Sequence, residues 1–227
     1  MHFEKLDHDL ASASSPFGIL SVPGRRGIYR NFVKRVLDTV IIVLMAPVVV
    51  PVVVALAAVV ARDGHMPFYA SRRVGRNGRV FNMLKLRTMV PDAEALLAGH
   101  LEADAEARRE WESTQKLKND PRITRLGRFL RKFSLDELPQ LYNVLNGDMS
   151  LVGPRPMLPS QRALYPGLSY YSLRPGITGP WQVSDRNDCE FAKRADHDRE
   201  YEQRMSFLVD AALLSRTVGV IVRGTGY

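Results

Sequence analysis

The longest uninterrupted apolar segment of the chain runs from Thr39 to Ala61 and contains no charged residue. Valine, isoleucine, leucine and alanine dominate it, and a helix rising about 1.5 Å per residue would be long enough to cross the hydrocarbon core of a bilayer. A buried helix of a soluble domain is the alternative, but such a helix rarely lacks polar positions altogether. A cleaved signal peptide would be shorter and closer to Met1. The pattern therefore predicts a membrane-embedded helix.

Two prolines in this segment, together with basic residues at both of its ends, indicate a bent helix. Pro47 and Pro51 each remove a backbone hydrogen bond and favour a kink. Basic residues precede the segment, with Lys34 and Arg35 as interfacial anchors, and further arginines follow it from Arg62 onward. The positive-inside tendency assigns both flanks to the cytoplasm, which one straight span cannot satisfy. We therefore predict a re-entrant helical hairpin, broken near Pro47 and Pro51, that enters and leaves through the same leaflet.

Alternating apolar and polar residues after this segment predict a small β-hairpin. The two runs, 67–75 and 79–89, are separated by an Asn-Gly dipeptide, which is a strong turn signal for antiparallel strands. Lys85 and Arg87 alternate with leucines in the second run and therefore share one face of the strand. They are either charges that protect a solvated strand edge or ligands for an anion, and the pattern leaves both interpretations open.

The remaining periodicity predicts helices. A charge-rich amphipathic pattern predicts one helix over 92–117, a basic helix follows over 123–133, and another helix begins after Ser134. The buried stripe of this last helix is expected to consist of Leu138, Leu141, Tyr142 and Leu145. Residues 207–222 are apolar but carry two charged residues, so this segment is more typical of an interfacial amphipathic helix than of a second span.

The charge balance narrows the class of partner. The 227 residues carry a formal net charge of +8, which favours a negatively charged partner: nucleic acid, anionic lipid or a phosphorylated substrate. Nucleic-acid binding would explain the charge but not the uncharged apolar segment, so we expect no nucleic-acid partner. The single cysteine, Cys189, excludes an internal disulfide and a cysteine-cluster metal site.

The strongest candidate for chemistry is a pair of adjacent carboxylates, Asp136 and Glu137, directly after a dense basic run. Ser134 and Glu137 have the spacing of a capping box, which would place both acids in the first turn of a helix. Acids there commonly do no more than complement the helix dipole, worth about 0.3–1 kcal/mol each. The arginines before the pair and the segment Gly153-Pro154-Arg155-Pro156 after it also fit a site that holds phosphate oxygens. A carboxylate among such cations would stay ionised and could attack phosphorus.

Several long motifs, taken together and in this order, resemble the bacterial sugar transferases, which are small monotopic phosphoglycosyl transferases acting on polyprenyl phosphates. The matching segments are Lys34-Arg35-x-x-Asp38, Lys85-x-Arg87-Thr88-Met89, Ser134-Leu135-Asp136-Glu137-Leu138-Pro139-Gln140, the segment 147–156 and the segment 174–179. The Ser-rich leader and the Gly224-Thr225-Gly226-Tyr227 ending resemble the exopolysaccharide-initiating branch, which loads galactose- or glucose-1-phosphate.

This resemblance implies transfer of a hexose-1-phosphate from a UDP-sugar to undecaprenyl phosphate, with release of UMP, at the cytoplasmic face of the bacterial inner membrane. It implies that Asp136 is the nucleophile of a covalent phosphosugar–aspartyl intermediate and that Glu137 is a ligand of Mg²⁺. The substrate-binding residues that it implies are Lys85, Arg87, Arg131, Arg155, Arg174, Asp198 and Tyr201. Anionic membrane lipid is a further expected partner, and a homodimer remains open.

Two alternatives stay open at this stage. A proline- and glycine-rich loop that ends at Trp181 is either a platform on which a flat base stacks or only a structural loop. The whole chain could also be a non-catalytic membrane adaptor, whose basic surface binds anionic lipid or a partner enzyme without any chemistry at Asp136.

The expected architecture is an α+β fold that is mostly helical. It combines a re-entrant membrane helical hairpin and interfacial amphipathic helices with a small β-hairpin around a cytoplasmic active site. We divide the chain into a mobile leader over 1–24, a basic flank with the membrane helix over 25–63, and a catalytic domain over 64–227. The leader is assigned on its serine, proline and glycine content and its weak apolar periodicity.

Overall fold

The computed structural model describes residues 27–114, 117–184 and 191–223. The predicted leader over 1–24, Cys189 and the Gly224–Tyr227 ending lie outside these residues. Within them the coarse part of the predicted fold class is confirmed, because the chain is mostly helical, with a small antiparallel hairpin and one long apolar helix.

Helix α1 covers Lys34–Val60 and follows a π-helical turn over Tyr29–Val33. The helical backbone runs through both prolines, so the predicted break and re-entrant hairpin stay predictions. No residue between 43 and 56 is buried, although this stretch is apolar. In the described part of the chain, α1 is the one helix that is long and apolar enough to cross a membrane.

Both ends of α1 pack against the body of the protein. Near its start, Ile42 belongs to a core cluster that also contains Met83 of the hairpin and Val144. At its end, Ala57 and Val60 belong to a second cluster that includes Leu86 of the same hairpin strand. The helix is therefore held by the body at its two ends and leaves its apolar middle uncovered.

The predicted β-hairpin is confirmed. Strand β1 (Phe68–Val74) pairs with β2 (Val80–Leu86) in an antiparallel register that joins Phe68 to Leu86 and Val74 to Val80. The turn has Asn77 at φ 57° and Gly78 at φ 76°. Asparagine and glycine tolerate this left-handed region better than other residues, which explains the Asn-Gly dipeptide at this position.

The single helix predicted over 92–117 is wrong, because the structure has two helices there. Helix α2 (Ala93–Ala103) ends before Asp104, whose backbone is extended, and α3 covers Ala105–Thr114. The Asp104 carboxylate accepts hydrogen bonds from the backbone N–H groups of Glu106 and Ala107. These bonds cap the start of α3. They favour two separate helices over the one continuous helix that the periodicity of the sequence predicts.

The remaining elements surround a second, parallel pair of strands, β3 (Ser150–Val152) and β4 (Gly176–Thr178). The other helices are α4 (Arg125–Lys132), α5 (Gln140–Asn146), α6 (Ser169–Ser172), α7 (Pro180–Val183), α8 (Arg194–Arg204) and α9 (Phe207–Arg223). The two strands approach so closely that a Cβ atom on Gly176 would lie 2.1 Å from the nitrogen of Gly153. Helix α9 buries Asp210 and Leu213 and exposes Phe207 and Leu208, so its predicted interfacial position stays a prediction.

Candidate active site

The two candidate carboxylates lie in a 3₁₀ turn, Leu135–Glu137, between α4 and α5. The predicted capping box is wrong: Ser134 has φ 55° and ψ 24°, and its side chain makes no capping hydrogen bond. An N-cap residue needs an extended backbone to place its side chain over the following N–H groups, and the left-handed conformation of Ser134 prevents this. The sharp turn instead directs Asp136 into the body, where it is 6% exposed.

The predicted buried stripe of α5 is also wrong at two positions. Tyr142 and Leu145 are exposed, whereas Gln140, Asn143 and Val144 are buried. Asn143 explains this difference, because its side chain forms hydrogen bonds with the backbone of β2, as a neighbouring strand would. Its carboxamide accepts a hydrogen bond from the N–H of Leu84 at 2.9 Å and donates one to the carbonyl of Asn82 at 2.8 Å. Helix α5 is thereby fixed beside β2, which brings Lys85 to the carboxylates.

Lys85 connects the two acids. Its Nζ atom lies 2.7 Å from Oε1 of Glu137 and 3.5 Å from Oδ2 of Asp136. Burial raises the pKa of Asp136 above its ordinary value, and the negative charge of Glu137 raises it further, while Lys85 and Arg131 lower it. Burial thus outweighs the surrounding cations in its effect on the pKa of Asp136, and the expectation that this carboxylate stays ionised remains a prediction.

Arg131, one of the predicted substrate-binding residues, lies near Asp136. It projects from α4, donates from Nε to the hydroxyl of Thr88 at 2.9 Å, and is electrostatically coupled to Asp136. Burial lowers the pKa of this guanidinium, while the charge of Asp136 raises it. Lys85, Arg131, Asp136 and Glu137 were all predicted from the sequence, and the structure brings the four of them together.

Arg73 is a neighbour of this group that the sequence analysis missed. Burial and the nearby charge of Arg155 lower the pKa of Arg73, and the charge of Glu137 raises it. Its Nε atom is buried and has no hydrogen-bond partner among the described residues. The hairpin register could have identified it, because Tyr69 pairs with Lys85 and Arg73 pairs with Phe81. Directly paired residues share a face of the sheet, so Arg73 lies on the face of Lys85.

Arg155 and Asp198 line a small cavity together with four aromatic residues, Tyr165, Tyr170, Trp181 and Phe191. The guanidinium of Arg155 lies 5.4 Å from the centroid of the Trp181 ring, and that of Arg194 lies 4.1 Å from it. Burial raises the pKa of Asp198 to about 7, although a hydrogen bond from Tyr165 opposes this shift. Arg155 of this cavity and Glu137 of the carboxylate pair are both close enough to Arg73 to shift its pKa.

The structure places three other predicted substrate-binding residues in contacts that hold the fold together. Arg87 donates to the carbonyl of Val60 and forms an ion pair with Asp63 at 2.6 Å, so it anchors the end of α1. Tyr201 donates to Asp210 at 2.6 Å. Arg174 donates from Nε to the carbonyl of Gly147 at 2.9 Å, in a separate pocket.

The carboxylate pair fits the donor set of a magnesium ion. Among the described residues no group of three or more His, Cys, Asp or Glu side chains could hold a metal ion alone. Mg²⁺ usually takes one or two carboxylates and completes its coordination with water and substrate phosphate oxygens. A site at Asp136 and Glu137 would therefore depend on the phosphates of the substrate.

Comparison with known proteins matches residues 29–224 to the family model described as bacterial sugar transferase. The UDP-galactose-lipid carrier transferase of Erwinia amylovora is 47% identical over 198 residues, which are 86% of this chain and 42% of that protein. The undecaprenyl-phosphate galactose phosphotransferase of Salmonella typhimurium is 45% identical over the same proportions of both chains. The chain thus spans about two fifths of the length of these two relatives. The exopolysaccharide production protein ExoY of Rhizobium meliloti is 39% identical over 95% of this chain and 96% of its own.

Proposed function

Because the chain belongs to the bacterial sugar transferase family, we propose that it transfers a hexose-1-phosphate from a UDP-sugar to undecaprenyl phosphate. The observation that carries this proposal is the buried Asp136 beside Glu137, with Lys85 in contact with both acids. The relatives named for undecaprenyl phosphate and for exopolysaccharide production support the same acceptor and a role at the start of exopolysaccharide assembly. Galactose and glucose are the favoured sugars, since relatives are named for each of them.

The proposed reaction has two half-reactions at one phosphorus atom. A carboxylate oxygen of Asp136 attacks the phosphorus that bears the sugar, a new P–O bond forms, and the bond to the bridging oxygen breaks so that UMP leaves. An oxygen of undecaprenyl phosphate then attacks the same phosphorus, and the Asp136 oxygen departs with its electron pair. A water-soluble donor and a lipid acceptor thus use one site in turn, which gives ping-pong kinetics.

The cations around Asp136 have separate tasks in this proposal. Lys85 holds the two carboxylates in place and offsets their mutual repulsion. Arg131, Arg73 and Arg155 would bind the oxygens of the diphosphate, since a guanidinium matches phosphate oxygens with paired hydrogen bonds. When bound by Glu137 and the substrate, Mg²⁺ would neutralise negative charge on the diphosphate.

We also propose that α1 is the re-entrant membrane helix that keeps this site at the cytoplasmic face. Support comes from its uncovered apolar middle, between residues 43 and 56, and from the packing of both its ends on one body. Exposed apolar side chains in such number would be unfavourable in water, whereas lipid would cover them. Pro47 and Pro51, near the middle, provide the bend that a return to the same leaflet requires.

The assay that tests the reaction measures UMP release from a panel of UDP-hexoses by the full chain in vesicles that contain undecaprenyl phosphate and Mg²⁺. We expect continuous turnover with UDP-galactose or UDP-glucose when the lipid is present. With donor alone, at most one UMP per protein molecule should appear. Vesicle binding without UMP release from any donor would instead favour the non-catalytic adaptor.

The topology is tested with single cysteines at both ends of α1, introduced into a Cys189→Ser background. Gly27→Cys and His65→Cys are suitable, because both positions are exposed. We expect a membrane-impermeant thiol reagent to label both cysteines in inside-out vesicles and neither in right-side-out vesicles. Labelling of one cysteine in each vesicle type would establish a straight span.

The metal role of Glu137 is tested by a Mg²⁺ titration of the Glu137→Gln variant. A carboxamide is a weaker ligand than a carboxylate, so the half-saturating Mg²⁺ concentration should rise by at least about tenfold. Glu94→Gln, at an exposed position in α2, serves as the matched control and should behave like the unmodified protein. An unchanged Mg²⁺ dependence in Glu137→Gln would mean that another group binds the metal.

A further inference from the structure

A second pocket lies at the base of α1, where the membrane helix joins the body. It is bordered by the start of α1, the turn of the β-hairpin, strand β3 and the loop after α6. The cationic side chains that line it are Arg30, Lys34, Arg35, Arg76 and Arg174. Its lining includes none of Lys85, Asp136 and Glu137, so this basic pocket is a different place from the carboxylate pair.

Two of the five cations already have carboxylate partners. Arg30 pairs with Glu202 at 3.1 Å, and Lys34 pairs with Asp210 at 2.6 Å. Asp38, the one acid in the lining, accepts a hydrogen bond from the hydroxyl of Ser150 at 2.6 Å. These contacts stabilise the wall of the pocket. They do not involve the other three cations.

Those three, Arg35, Arg76 and Arg174, form no ion pair within the described residues. Arg35 donates to the backbone carbonyls of α5, and Arg174 donates to the carbonyl of Gly147. The Nε atom of Arg76 is buried and has no hydrogen-bond partner in the described part of the chain. The pocket therefore contains three guanidinium groups that form no ion pair within the described residues, and of these Arg174 is stabilised by the charge of Asp38.

These guanidinium groups are close enough to repel one another. Burial lowers the pKa of Arg174, and the charges of Arg76 and Arg35 lower it further. Burial likewise lowers the pKa of Arg76, with a smaller contribution from Arg30. Half-buried like charges are unfavourable unless an anion joins them, and planar guanidinium groups are well suited to the oxygens of a phosphate.

We propose that this basic pocket binds the phosphate of a membrane-lipid headgroup, separately from the substrate phosphates at Asp136. A lipid headgroup is the favoured source of this phosphate because of where the pocket lies. Three of its cations, Arg30, Lys34 and Arg35, precede the apolar stretch of α1. This placement rests on the proposed membrane insertion of α1, which would put the base of the helix at headgroup depth. A bound phosphate would join the start of α1 to the hairpin turn at Arg76 and so fix the helix to the body.

The experiment measures thermal unfolding of the full chain in a neutral detergent while a soluble short-chain lipid is added. Dihexanoyl phosphatidylglycerol should stabilise the protein with a saturable dependence, and dihexanoyl phosphatidylcholine should have little effect. Arg76→Gln should weaken the apparent affinity for phosphatidylglycerol about tenfold, and Arg76→Lys should recover part of it. Arg79→Gln is the matched control, since Arg79 is exposed in the same turn but does not line the pocket.

Two further probes identify the source of the phosphate. Arg76-dependent stabilisation by inorganic phosphate at the same concentrations would assign the pocket to free phosphate, and a short polyprenyl phosphate that alone stabilises would assign it to the acceptor lipid. Equal losses in Arg76→Gln and Arg79→Gln, or no Arg76-dependent effect of any probe, would overturn the proposal. Asp136→Asn should retain phosphatidylglycerol binding, so failure of the pocket and failure of the proposed reaction are distinguishable.

Discussion

Replacing Asp136 with asparagine should reduce UMP release by on the order of 10⁴-fold or more, as expected when the nucleophile of a covalent mechanism is removed. Asparagine keeps the shape of the side chain, but its carboxamide cannot form the phosphosugar–aspartyl bond. The measurement is steady-state UMP release from the preferred UDP-hexose in vesicles with undecaprenyl phosphate. Asp92→Asn, at an exposed position before α2, is the matched control and should keep full activity.

Trapping of the intermediate provides an independent readout of the same prediction. Protein incubated with the donor alone should carry one hexose phosphate on the peptide that contains Asp136, and Asp136→Asn should carry none. An unmodified peptide from protein of demonstrated turnover, or an Asp136→Asn variant with the unmodified protein's rate, would contradict the assignment.

The free energy of unfolding of Asp136→Asn distinguishes a catalytic role of Asp136 from a structural role. Burial raises its pKa in the folded state, so folding favours the protonated form. Folding stability from this group is therefore greatest below its unfolded pKa and falls as the pH rises through the interval between the unfolded and folded values. At a pH above its unfolded pKa this group thus costs stability, and Asp136→Asn should not lower the free energy of unfolding. A variant that loses activity and keeps its stability has lost chemistry, because its fold is intact.

The candidate residues of the site could be identified from the sequence, whereas the way in which they come together could not. Lys85, Asp136 and Glu137 belong to motifs, and the contacts among Lys85 and the two acids agree with that grouping. Arg73 has no motif of its own, and only the register of the hairpin shows that it lies on the face of Lys85. The Asn-Gly dipeptide predicted the hairpin but not its register, because Val74 pairs with Val80 and the connection is five residues long, whereas a two-residue turn at Asn77 and Gly78 would shift the pairing.

The errors have a common physical cause: periodicity predicts a face of a helix but not what covers that face. In α5 the polar side chain of Asn143 is buried because it bonds to the backbone of β2, while Tyr142 is exposed. The substrate-binding roles of Tyr201 and Arg87 stay predictions, and in the structure their side chains contact Asp210 and Asp63. A motif therefore identified residues that matter without separating those that meet the substrate from those that support them.

Lys34 is the clearest case of such support, and Lys34→Met should lower the free energy of unfolding by about 3–5 kcal/mol. The carboxylate of Asp210 accepts hydrogen bonds from Lys34, Tyr29 and Tyr201, each at 2.6 Å, and Asp210 is 5% exposed. Methionine fills a similar volume but leaves this buried carboxylate without its counterion. The measurement is denaturant-induced unfolding of the full chain in a neutral detergent.

The matched control is Lys118→Met at an exposed position, which should change the free energy of unfolding by less than about 0.5 kcal/mol. Asp210→Asn added to Lys34→Met should restore part of the loss, since it removes the charge that Lys34 neutralised, and the double-mutant cycle isolates this pair. If Lys34→Met cost no more than Lys118→Met, the two tyrosines alone would be sufficient partners for Asp210. Lys34 would then be an interfacial anchor, as its position before the apolar helix first indicated, and the join between α1 and α9 would not depend on its charge.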